Sequence, residues 1–383
     1  MKALVLGASS EAIHAIQVAQ QRGYYVVALD GNPEAPGLAR ADESAVIDIS
    51  DSDAVASYVG ADIPACILPV PIGRALVATG ELNDRWGLVG ISRATAELCT
   101  DKYSFSQVLR PLGLRSATCY LAEEVLASPN LLEEMDLPLV VKPRFGSGSR
   151  GVSLVSSHEE AFSLLKEGDI LEEALPGTEY GFDGLVHEGR LTPLLLRKKV
   201  NTPPPVCQCV GYQALSRDDP AFFAVVSLID RIVFAIGLNE GLLHADVMFD
   251  GKCASVIELS GRPSGHCIHS HLVPLATGFD PIELFLSCCV EGEELPIPGE
   301  VRPMYMGFFD LGEGVVRKMP SQDQLMRRFG EFEYQVSFNV GDRLGKTLDG
   351  GVTKRGHFII PGSGESALRN AKDLLNMFEI GPS

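Results

Sequence analysis

Two carboxylates, a hydroxyl and a guanidinium lie close together in the sequence around a predicted tight turn. Asp246 lies on the first strand of a predicted hairpin, and Glu258 lies on the second, across an Asp-Gly turn at 250–251. Ser260 and Arg262 follow Glu258 at intervals of two residues, so alternation along a strand places them on one sheet face. Mg²⁺ prefers such oxygen ligands and shares the phosphate oxygens of nucleotides. The pattern predicts a magnesium site beside which Arg262 neutralises charge on a transferring phosphoryl group.

A second candidate group combines a lysine with a glycine-rich loop. Lys142 ends an apolar strand predicted over 137–142, and burial of its ammonium is costly without an anionic partner. The loop over 144–151 contains three glycines and two serines, among them Ser147 and Gly148. Because glycine lacks a Cβ, the backbone amides of the loop can approach phosphate oxygens closely. The combination favours a triphosphate clamp, although a surface hairpin beside a salt-bridged lysine would contain the same residues.

An acidic pair lies at the end of the next predicted strand, over 169–174. Glu172 and Glu173 are followed by Leu175 and, after Gly177, by Glu179. A carboxylate at a strand end can accept a hydrogen bond from an adenine amino group, and a later one can accept from ribose hydroxyls. Taken alone, an acidic edge of this kind is more typical of a solvated surface. This acidic pair therefore supports a nucleotide site only in combination with the other motifs and their order in the chain.

The elements that must position these groups change in type along the chain. The first ninety residues contain strands predicted at 2–6, 24–29, 45–49 and 65–69 and a helix at 11–22. Strands alternating with helices predict βαβ units and a parallel sheet. After a boundary near residues 90–100 and a helix near 100–109, hairpins predict an α+β region with antiparallel pairing. Further helices are predicted at 221–236 and 365–377.

Composition and charge exclude several classes of protein. The 383 residues carry a net charge of −18, which argues against a nucleic-acid partner because phosphate backbones select basic faces. The N-terminus does not have the pattern of a signal peptide, and no run of about 18 apolar residues predicts a membrane span. Nine cysteines, scattered and without a CxxC pair, are typical of a reduced, cytoplasmic protein.

The segment GHCIHSH contains a cluster of residues of the types found in zinc sites. His266, His269 and His271 surround Cys267, and histidine and cysteine are the common ligands of Zn²⁺. Their spacing fits no standard zinc signature. The pattern instead favours the lining of a substrate pocket or hydrogen bonds at the start of a helix.

The motifs, in this order, resemble those of the ATP-grasp superfamily over nearly the whole chain. The segments on which this resemblance rests are RGYYVVALDGNPEAPGLARADESAVIDISD, DKYSFSQVLRPLGL, VVKPRFGSGSRGV, LEEALPGTEY and HADVMFDGKCASVIELSGRPSG. The resemblance implies that Lys102, Lys142, Ser147 and Gly148 contact the phosphates of ATP. It implies that a hinge over the adenine and ribose is formed by Glu172, Glu173, Leu175 and Glu179.

The same resemblance assigns the metal site and shows one departure from the family pattern. Asp246 and Glu258 would hold Mg²⁺, with two ions expected and Mn²⁺ as a substitute. Arg262 matches the arginine that stabilises an acyl-phosphate in the family. Arg262 and Lys142 are the expected catalytic residues. Where many members have asparagine as a further metal ligand, this chain has Ser260. The serine side chain is shorter than that of asparagine, and its hydroxyl is a weaker ligand.

The resemblance also implies an architecture. It predicts a Rossmann-like α/β pre-ATP-grasp domain over 1–95 and an ATP-grasp domain over 96–300. Within the latter, a subdomain over about 113–172 carries the glycine-rich flap. A small α+β subdomain over 301–383 completes the predicted fold.

The implied activity is that of a carboxylate–amine ligase, in which ATP converts a carboxylate into an acyl-phosphate for attack by an amine. The segment IELSGRPSGH is similar to the amino-acid and dipeptide ligases, which makes an amino-acid-like substrate the leading expectation. Ser264, Gly265 and His266 are the expected substrate contacts. Small-molecule carboxylates and amines are the expected partners, and a homodimer is the expected assembly.

Three other functions stay open at this point. The first is an ATP-grasp enzyme acting on bicarbonate, formate or a purine intermediate. The second is an ATP-binding regulatory protein without turnover, which only Ser260 suggests and Arg262 argues against. The third is an NAD-dependent dehydrogenase, which depends on the N-terminal sheet alone and leaves the central hairpins unexplained.

Overall fold

The computed structural model describes residues 1–114, 117–146, 148, 150–202, 208–330, 332–346 and 351–382. Its strands are, in chain order, β1 Lys2–Leu6, β2 Tyr25–Asp30, β3 Glu43–Val46, β4 Cys66–Ile67, β5 Cys119–Leu121, β6 Leu139–Pro143, β7 Ser153–Val155, β8 Asp169–Glu173, β9 Thr178–His187, β10 Arg190–Asn201, β11 Cys209–Ala214, β12 Gly241–Phe249, β13 Ala254–Ser260, β14 Met304–Phe308, β15 Gly314–Lys318, β16 Glu333–Val336, β17 Arg343–Leu344, β18 Gly356–Pro361 and β19 Glu379–Gly381. Its α-helices are α1 Ile13–Gln21, α2 Ser52–Val59, α3 Leu76–Trp86, α4 Arg93–Thr100, α5 Lys102–Leu109, α6 Ala122–Ala127, α7 His158–Leu164, α8 Pro220–Ile236, α9 Val273–Thr277, α10 Pro281–Leu284, α11 Gln322–Phe329 and α12 Gly364–Leu375.

The N-terminal region is a parallel sheet of four strands in the order β3-β2-β1-β4. Strand β1 is apolar throughout because both of its faces are covered. Ala3 and Val5 belong to the core that includes α1, whereas Leu4 and Leu6 face a second core beneath α2 and α3. The predicted parallel α/β region is confirmed, with the third strand at 43–46 rather than 45–49.

A small antiparallel sheet carries the lysine and the glycine-rich loop. Its strands run in the order β5-β8-β6-β7, and the loop connects β6 to β7. The register pairs Val140 with both Leu154 and Glu172. Lys142 of β6 and Glu172 of β8 therefore lie near one another, as the strand pairing requires.

A long sheet forms the floor of the central region, in the order β13-β12-β9-β10-β11-β14-β18-β16. The Asp-Gly hairpin predicted from the sequence is β12–β13, and its register pairs Asp246 with Glu258 and His244 with Ser260. Asp250 closes the turn, because its carboxylate accepts from the backbone amides of Lys252 and Cys253.

Two helices that frame the site begin and end where their capping residues predict. The predicted helix near 100–109 is α5, which starts after Asp101, whose carboxylate caps it through the amides of Tyr103 and Ser104. Helix α4, which was not predicted, ends directly before this cap. Helix α8 starts after the Asp219 cap and stops at Gly237, whose φ of 67° is readily adopted by glycine. Its apolar side packs against the long sheet.

The C-terminal strands β14, β16 and β18 belong to the same long sheet as β9 to β13. Helices α11 and α12 and a three-stranded sheet in the order β17-β15-β19 pack against β14 and β18 around a further core. We propose the predicted limits at residues 95 and 300 as domain boundaries, with the sheet running across the second.

Within the described residues, no single helix is long and apolar enough to cross a membrane. One bent pair, over 268–277 and 281–290, meets the length and composition requirements together, with 89° between its halves. Most apolar side chains of this pair, such as Leu272 and Phe285, lie in the buried core.

Candidate functional site

Two adjoining cavities lie between the small sheet, the long sheet and α5. The first has a volume of about 300 Å³ and the second about 260 Å³. Both are lined by Lys102, Gly146, Arg150, Ile257 and Glu258, so one opens towards the other. The motifs that the sequence separates by more than a hundred residues therefore line one continuous space.

The first cavity collects most of the predicted nucleotide and metal residues. Its predicted lining residues are Lys102, Lys142, Gly148, Glu172, Glu173, Leu175, Glu179, Asp246 and Glu258. Apolar lining comes from Val140, Val152, Leu154, Met248 and Ile257, which form a slot of the kind that a planar base requires. Ser147 lies outside the described residues.

The buried lysine has the anionic partner that its burial requires. The Lys142 ammonium donates to the Glu172 carboxylate, and both side chains are almost fully buried. Glu173 has a different role, because its carboxylate accepts from the backbone amides of Thr118 and Asp136, at 2.7 and 3.1 Å. Burial alone would raise the pKa of Glu173, but these amides hold it below its usual value. Glu173 therefore joins β8 to its neighbours while Glu172 faces the lysine.

Lys102 and the glycine-rich loop are in contact. The Lys102 ammonium donates to the carbonyl of Gly146 at 2.7 Å, and Arg144 at the start of the loop pairs with Asp101. Burial lowers the pKa of Lys102, opposed by the charge of Glu258. Asp101 caps α5 and also pairs with Arg144 of the loop. It therefore holds the helix and the loop together beside Lys102.

Lys199 of β10 was not predicted as a site residue. Its ammonium lies 2.6 Å from Glu179 and 2.6 Å from Asp246. Burial alone would lower its pKa, yet the two carboxylates raise the pKa of Lys199 well above its ordinary value. In return, Lys199 holds the pKa of Asp246 below its usual value against the opposite effect of burial. Lys199 therefore links Glu179, the predicted ribose ligand, to Asp246, a predicted metal ligand.

The carboxylate pair fits a hard divalent cation. Asp246 and Glu258 are direct partners across β12 and β13, and both line the first cavity. Ser260, two residues beyond Glu258, lines the second cavity instead. The donors are oxygens of the type that Mg²⁺ takes, with room left for phosphate oxygens. Of the predicted metal ligands Asp246, Glu258 and Ser260, Glu258 lines both cavities.

Arg262 lies in the second cavity, near the carboxylates. Its half-buried guanidinium donates to the carbonyl of Pro263 at 3.0 Å. Burial lowers its pKa, and the charges of Glu258, Asp246 and Glu11 act in the opposite direction. An arginine stays charged under these conditions. The second cavity thus has a cation beside the carboxylates that would hold the metal.

Two further cations of the second cavity were missed by sequence reasoning. Arg74 lies at the mouth between the N-terminal sheet and the glycine loop, with its guanidinium 4.2 Å from the centroid of the Phe145 ring. Arg150, from the end of that loop, lines both cavities. Together with Lys102 and Arg262, they make this part of an acidic protein locally cationic. Such local charge is what an anionic ligand needs.

The predicted substrate residues lie outside the described lining of both cavities. Ser264 is buried, and His266 places Nδ1 3.3 Å from the Tyr212 hydroxyl. His266 and Cys267 both have φ of 59°, a region that side-chain-bearing residues rarely adopt. Glu11 stabilises this turn, because its carboxylate accepts from the Cys267 amide at 3.2 Å. Gly265 begins the strained turn, so this segment stays a predicted substrate contact only.

The histidines of the GHCIHSH segment point in different directions. His269 is buried, with Nδ1 2.6 Å from the carbonyl of Ser264. His271 approaches Glu333 and His357 of the C-terminal strands. The three histidines and Cys267 therefore do not form one ligand set among themselves.

Substitution of Lys199 by methionine tests the link between the cation and the metal carboxylates. We expect Lys199→Met to lower the free energy of unfolding by about 1–3 kcal/mol, because Glu179 and Asp246 lose their charged donor. Millimolar Mg²⁺ should restore more stability to this variant than to the unmodified protein. Melting temperatures with and without Mg²⁺ measure both effects.

The control for this prediction is Lys198→Met, at the exposed neighbouring position. It should leave the melting temperature and its response to Mg²⁺ nearly unchanged. An equal response to Mg²⁺ in the Lys199 variant and the unmodified protein would show that no divalent cation binds at these carboxylates.

Comparison with known proteins agrees with the geometry. Residues 99–266 match the family model of the ATP-grasp domain. Formate-dependent phosphoribosylglycinamide formyltransferase of Methanocaldococcus jannaschii is 30% identical over 175 residues, which is 44% of this chain and 44% of that protein. The enzyme of that name from Francisella tularensis subsp. holarctica is 27% identical over 280 residues, covering 69% and 70%.

A solved structure extends the likeness to the whole chain. The L-amino acid ligase from Bacillus licheniformis superposes with a TM-score of 0.82 at 20% identity, covering 100% of this chain and 98% of that one. A likeness at this identity shows the fold, and it confirms that the chain has the predicted ATP-grasp fold. The matched segment contains Lys102, Lys142, Asp246 and Arg262, the residues that line the two cavities. Residues 99–266 therefore match the ATP-grasp domain family, and the whole chain has the ATP-grasp fold.

Proposed function

We propose that the protein binds Mg-ATP in the first cavity and uses it to join a carboxylate to an amine, releasing ADP and phosphate. The observation that carries this proposal is the continuity of the two cavities through Lys102 and Glu258. A nucleotide in the apolar slot would direct its phosphates along Lys102 and Lys142 towards the second cavity. A substrate carboxylate held there by Arg262 would meet the γ-phosphate.

The chemistry balances in two steps. A carboxylate oxygen attacks the γ-phosphorus, the bond to the β-phosphate oxygen breaks, and ADP leaves with an acyl-phosphate formed. An unprotonated amine then attacks the acyl carbon, phosphate leaves, and the nitrogen loses a proton to form the amide. Phosphorylation is needed because a carboxylate alone has no good leaving group.

Each proposed role follows from where the residue lies. Lys142, Lys102 and Gly148 would bind the phosphates. Glu172 and the Leu175 segment would bind the adenine, with Glu179 on the ribose. Arg262 would stabilise charge on the phosphoryl group as it transfers. The loop over 144–151 would keep water from the acyl-phosphate, which water would otherwise hydrolyse.

Asp246 and Glu258, with Ser260 as a weaker donor, would hold Mg²⁺ or Mn²⁺. The oxygen donors of this set fit such an ion, which would polarise the phosphate oxygens. Lys199 lies against Asp246 and Glu179, so an arriving cation would share or displace its contacts.

The substrate we propose is a small carboxylate of the amino-acid type, with an amine as the second substrate. Arg74, Arg150 and Arg262 supply the positive charge that would hold a carboxylate in the second cavity. We also propose that the protein acts in the cytoplasm as a homodimer.

One observation favours a second candidate within the same chemistry. The curated relatives above are named as formate-dependent phosphoribosylglycinamide formyltransferases. Formate is itself a carboxylate, and the cluster of arginines in the second cavity would equally hold it or a phosphorylated amine. The reaction type is unchanged, and only the pair of substrates differs.

The test is phosphate release from Mg-ATP by the purified protein. A matrix of carboxylates (amino acids, formate and bicarbonate) is combined with a matrix of amines, including phosphoribosylglycinamide. We expect release that needs one carboxylate and one amine together, with a product of their summed mass less water. Release with formate or bicarbonate would select the second candidate. ATP binding without release from any pair, in cell extract as well, would overturn the ligase proposal.

A further inference from the structure

Three side chains that the proposed reaction does not use converge at one point of the C-terminal region. His271 follows the strained turn at His266, whereas Glu333 belongs to β16 and His357 to β18. The Nε2 atoms of both histidines lie 3.3 Å from the same carboxylate oxygen, Oε1 of Glu333. The ligand atoms of all three residues lie within 4.8 Å of one another.

The strand register explains why the cluster is held in place. Strands β16 and β18 are antiparallel, with Glu333 opposite Ile359 and Gln335 opposite His357. Glu333 and His357 are therefore diagonal neighbours on one sheet face. His357 is buried, and the His271 ring lies edge-on to it with centroids 5.0 Å apart. Closing the group around an ion needs side-chain adjustment and no change of strand pairing.

We propose that His271, Glu333 and His357 form a binding site for a borderline divalent transition-metal ion such as Zn²⁺. Zinc binds histidine nitrogen and carboxylate oxygen at about 2.0–2.2 Å, so tetrahedral ligand atoms lie about 3.3–3.5 Å apart. The two nitrogen–oxygen separations of 3.3 Å already match that spacing. Three protein ligands leave a fourth position for water or another small donor.

The ligand types separate this site from the magnesium site. Two imidazoles with one carboxylate suit zinc, cobalt or nickel, whereas Mg²⁺ takes oxygen ligands. Asp246 and Glu258 supply carboxylate oxygens at the cavities, and His244 beside them places Nδ1 3.2 Å from the carbonyl of Arg262. Millimolar Mg²⁺ should therefore leave the histidine site free for a transition metal.

An ion at this point would join two parts of the chain. His271 is nine residues after Arg262, and the segment between them contains the strained turn held by Glu11. Glu333 and His357 come from strands near the far edge of the long sheet. The ion would tether the segment that follows the catalytic arginine to the C-terminal strands, and its removal should loosen both.

The experiment is a metal titration of the full-length chain after treatment with a chelator. Co²⁺ is titrated in excess Mg²⁺ and followed by visible absorption, and Zn²⁺ affinity is obtained by competition. Variants His271→Ala, His357→Ala and Glu333→Gln are compared with His187→Ala. His187 is a matched control because it belongs to the other described cluster of possible ligands, with Glu240 and Cys289.

We expect one Co²⁺ per chain, binding weakened at least about tenfold by each of the three variants, and no change in His187→Ala. Zn²⁺ should also raise the melting temperature of the unmodified protein and of His187→Ala more than that of Glu333→Gln. Circular dichroism, with the response of the melting temperature to Mg-ATP, shows that each variant is folded. Absence of stoichiometric binding, binding retained in the three variants, or loss in His187→Ala would each overturn the proposal.

Discussion

Arg262→Ala should lower substrate-dependent phosphate release from Mg-ATP by about 100- to 1,000-fold, the range seen when a donor to developing charge is removed from an active site. The guanidinium lies in the second cavity with Glu258 and Ser260, where the phosphoryl group would transfer. It is absent from the lining of the first cavity as the structure describes it, so ATP affinity should change by only a few fold. Steady-state phosphate release and equilibrium ATP binding measure the two quantities separately.

The conservative variant sharpens this prediction. Arg262→Lys keeps a positive charge but loses the planar fork of the guanidinium, so it should recover only part of the activity. Arg231→Ala, on the exposed side of α8, is the matched control and should behave as the unmodified protein. An Arg262→Ala variant that retains more than about one tenth of the activity would remove this residue from the proposed transfer step.

Arg197→Met should destabilise the folded protein by about 3–5 kcal/mol, because it leaves a buried carboxylate without its cation. The Arg197 guanidinium pairs with Asp183, and the two residues are 2% and 4% exposed. Gly181 lies against this guanidinium, since a Cβ there would come within 2.6 Å of it. Urea denaturation of the variant and the unmodified protein gives the difference in the free energy of unfolding.

The pH dependence of this loss follows from the remaining carboxylate. Burial raises the pKa of Asp183, against the opposing charge of Arg197. A folded-state pKa above the unfolded value means that protonation favours the folded chain, and removal of Arg197 raises it further. The deficit of Arg197→Met should therefore shrink as the pH is lowered towards that pKa.

A second substitution tests whether the uncompensated charge is the cause. Arg197→Met combined with Asp183→Asn removes the charge and nearly keeps the shape, so much of the lost stability should return. Arg231→Met at the exposed site of α8 is the control for the arginine-to-methionine change. A double variant no more stable than Arg197→Met would mean that the loss comes from packing, for example from the contact of Arg197 with the Tyr212 ring.

The sequence predicted best the features whose causes are local. The Asp-Gly turn at 250–251 sets the pairing of the hairpin from Phe249–Ala254 to Val247–Val256. A shift of register between Val247 and Asp246 then places Asp246 opposite Glu258. The position of the glycine-rich loop beside Lys142 has an equally local cause, because Lys142 and Gly148 are close in sequence. The order of these motifs was sufficient to predict the fold.

Residues whose partners come from distant strands could not be predicted in this way. The apolar run of β10 ends at Leu196 and is followed by the charged residues 197–199. Pairing with β9 extends the strand to Asn201, and this brings Lys199 to Glu179. Spacing in the GHCIHSH segment likewise carries no sign of Glu333 and His357, which follow after long intervening stretches.

The order of strands in the long sheet determines when during synthesis the sheet can be completed. Strand β11 pairs with β14, and β14 pairs with β18, so the sheet must wait for residues up to 361. Pairings between distant segments close large loops and slow the search for the native state. While β11 is unpaired on that side, it presents an open edge that can bind other chains. A ribosome-bound chain that lacks the last strands is therefore the form most exposed to aggregation, and the one on which chaperones would act.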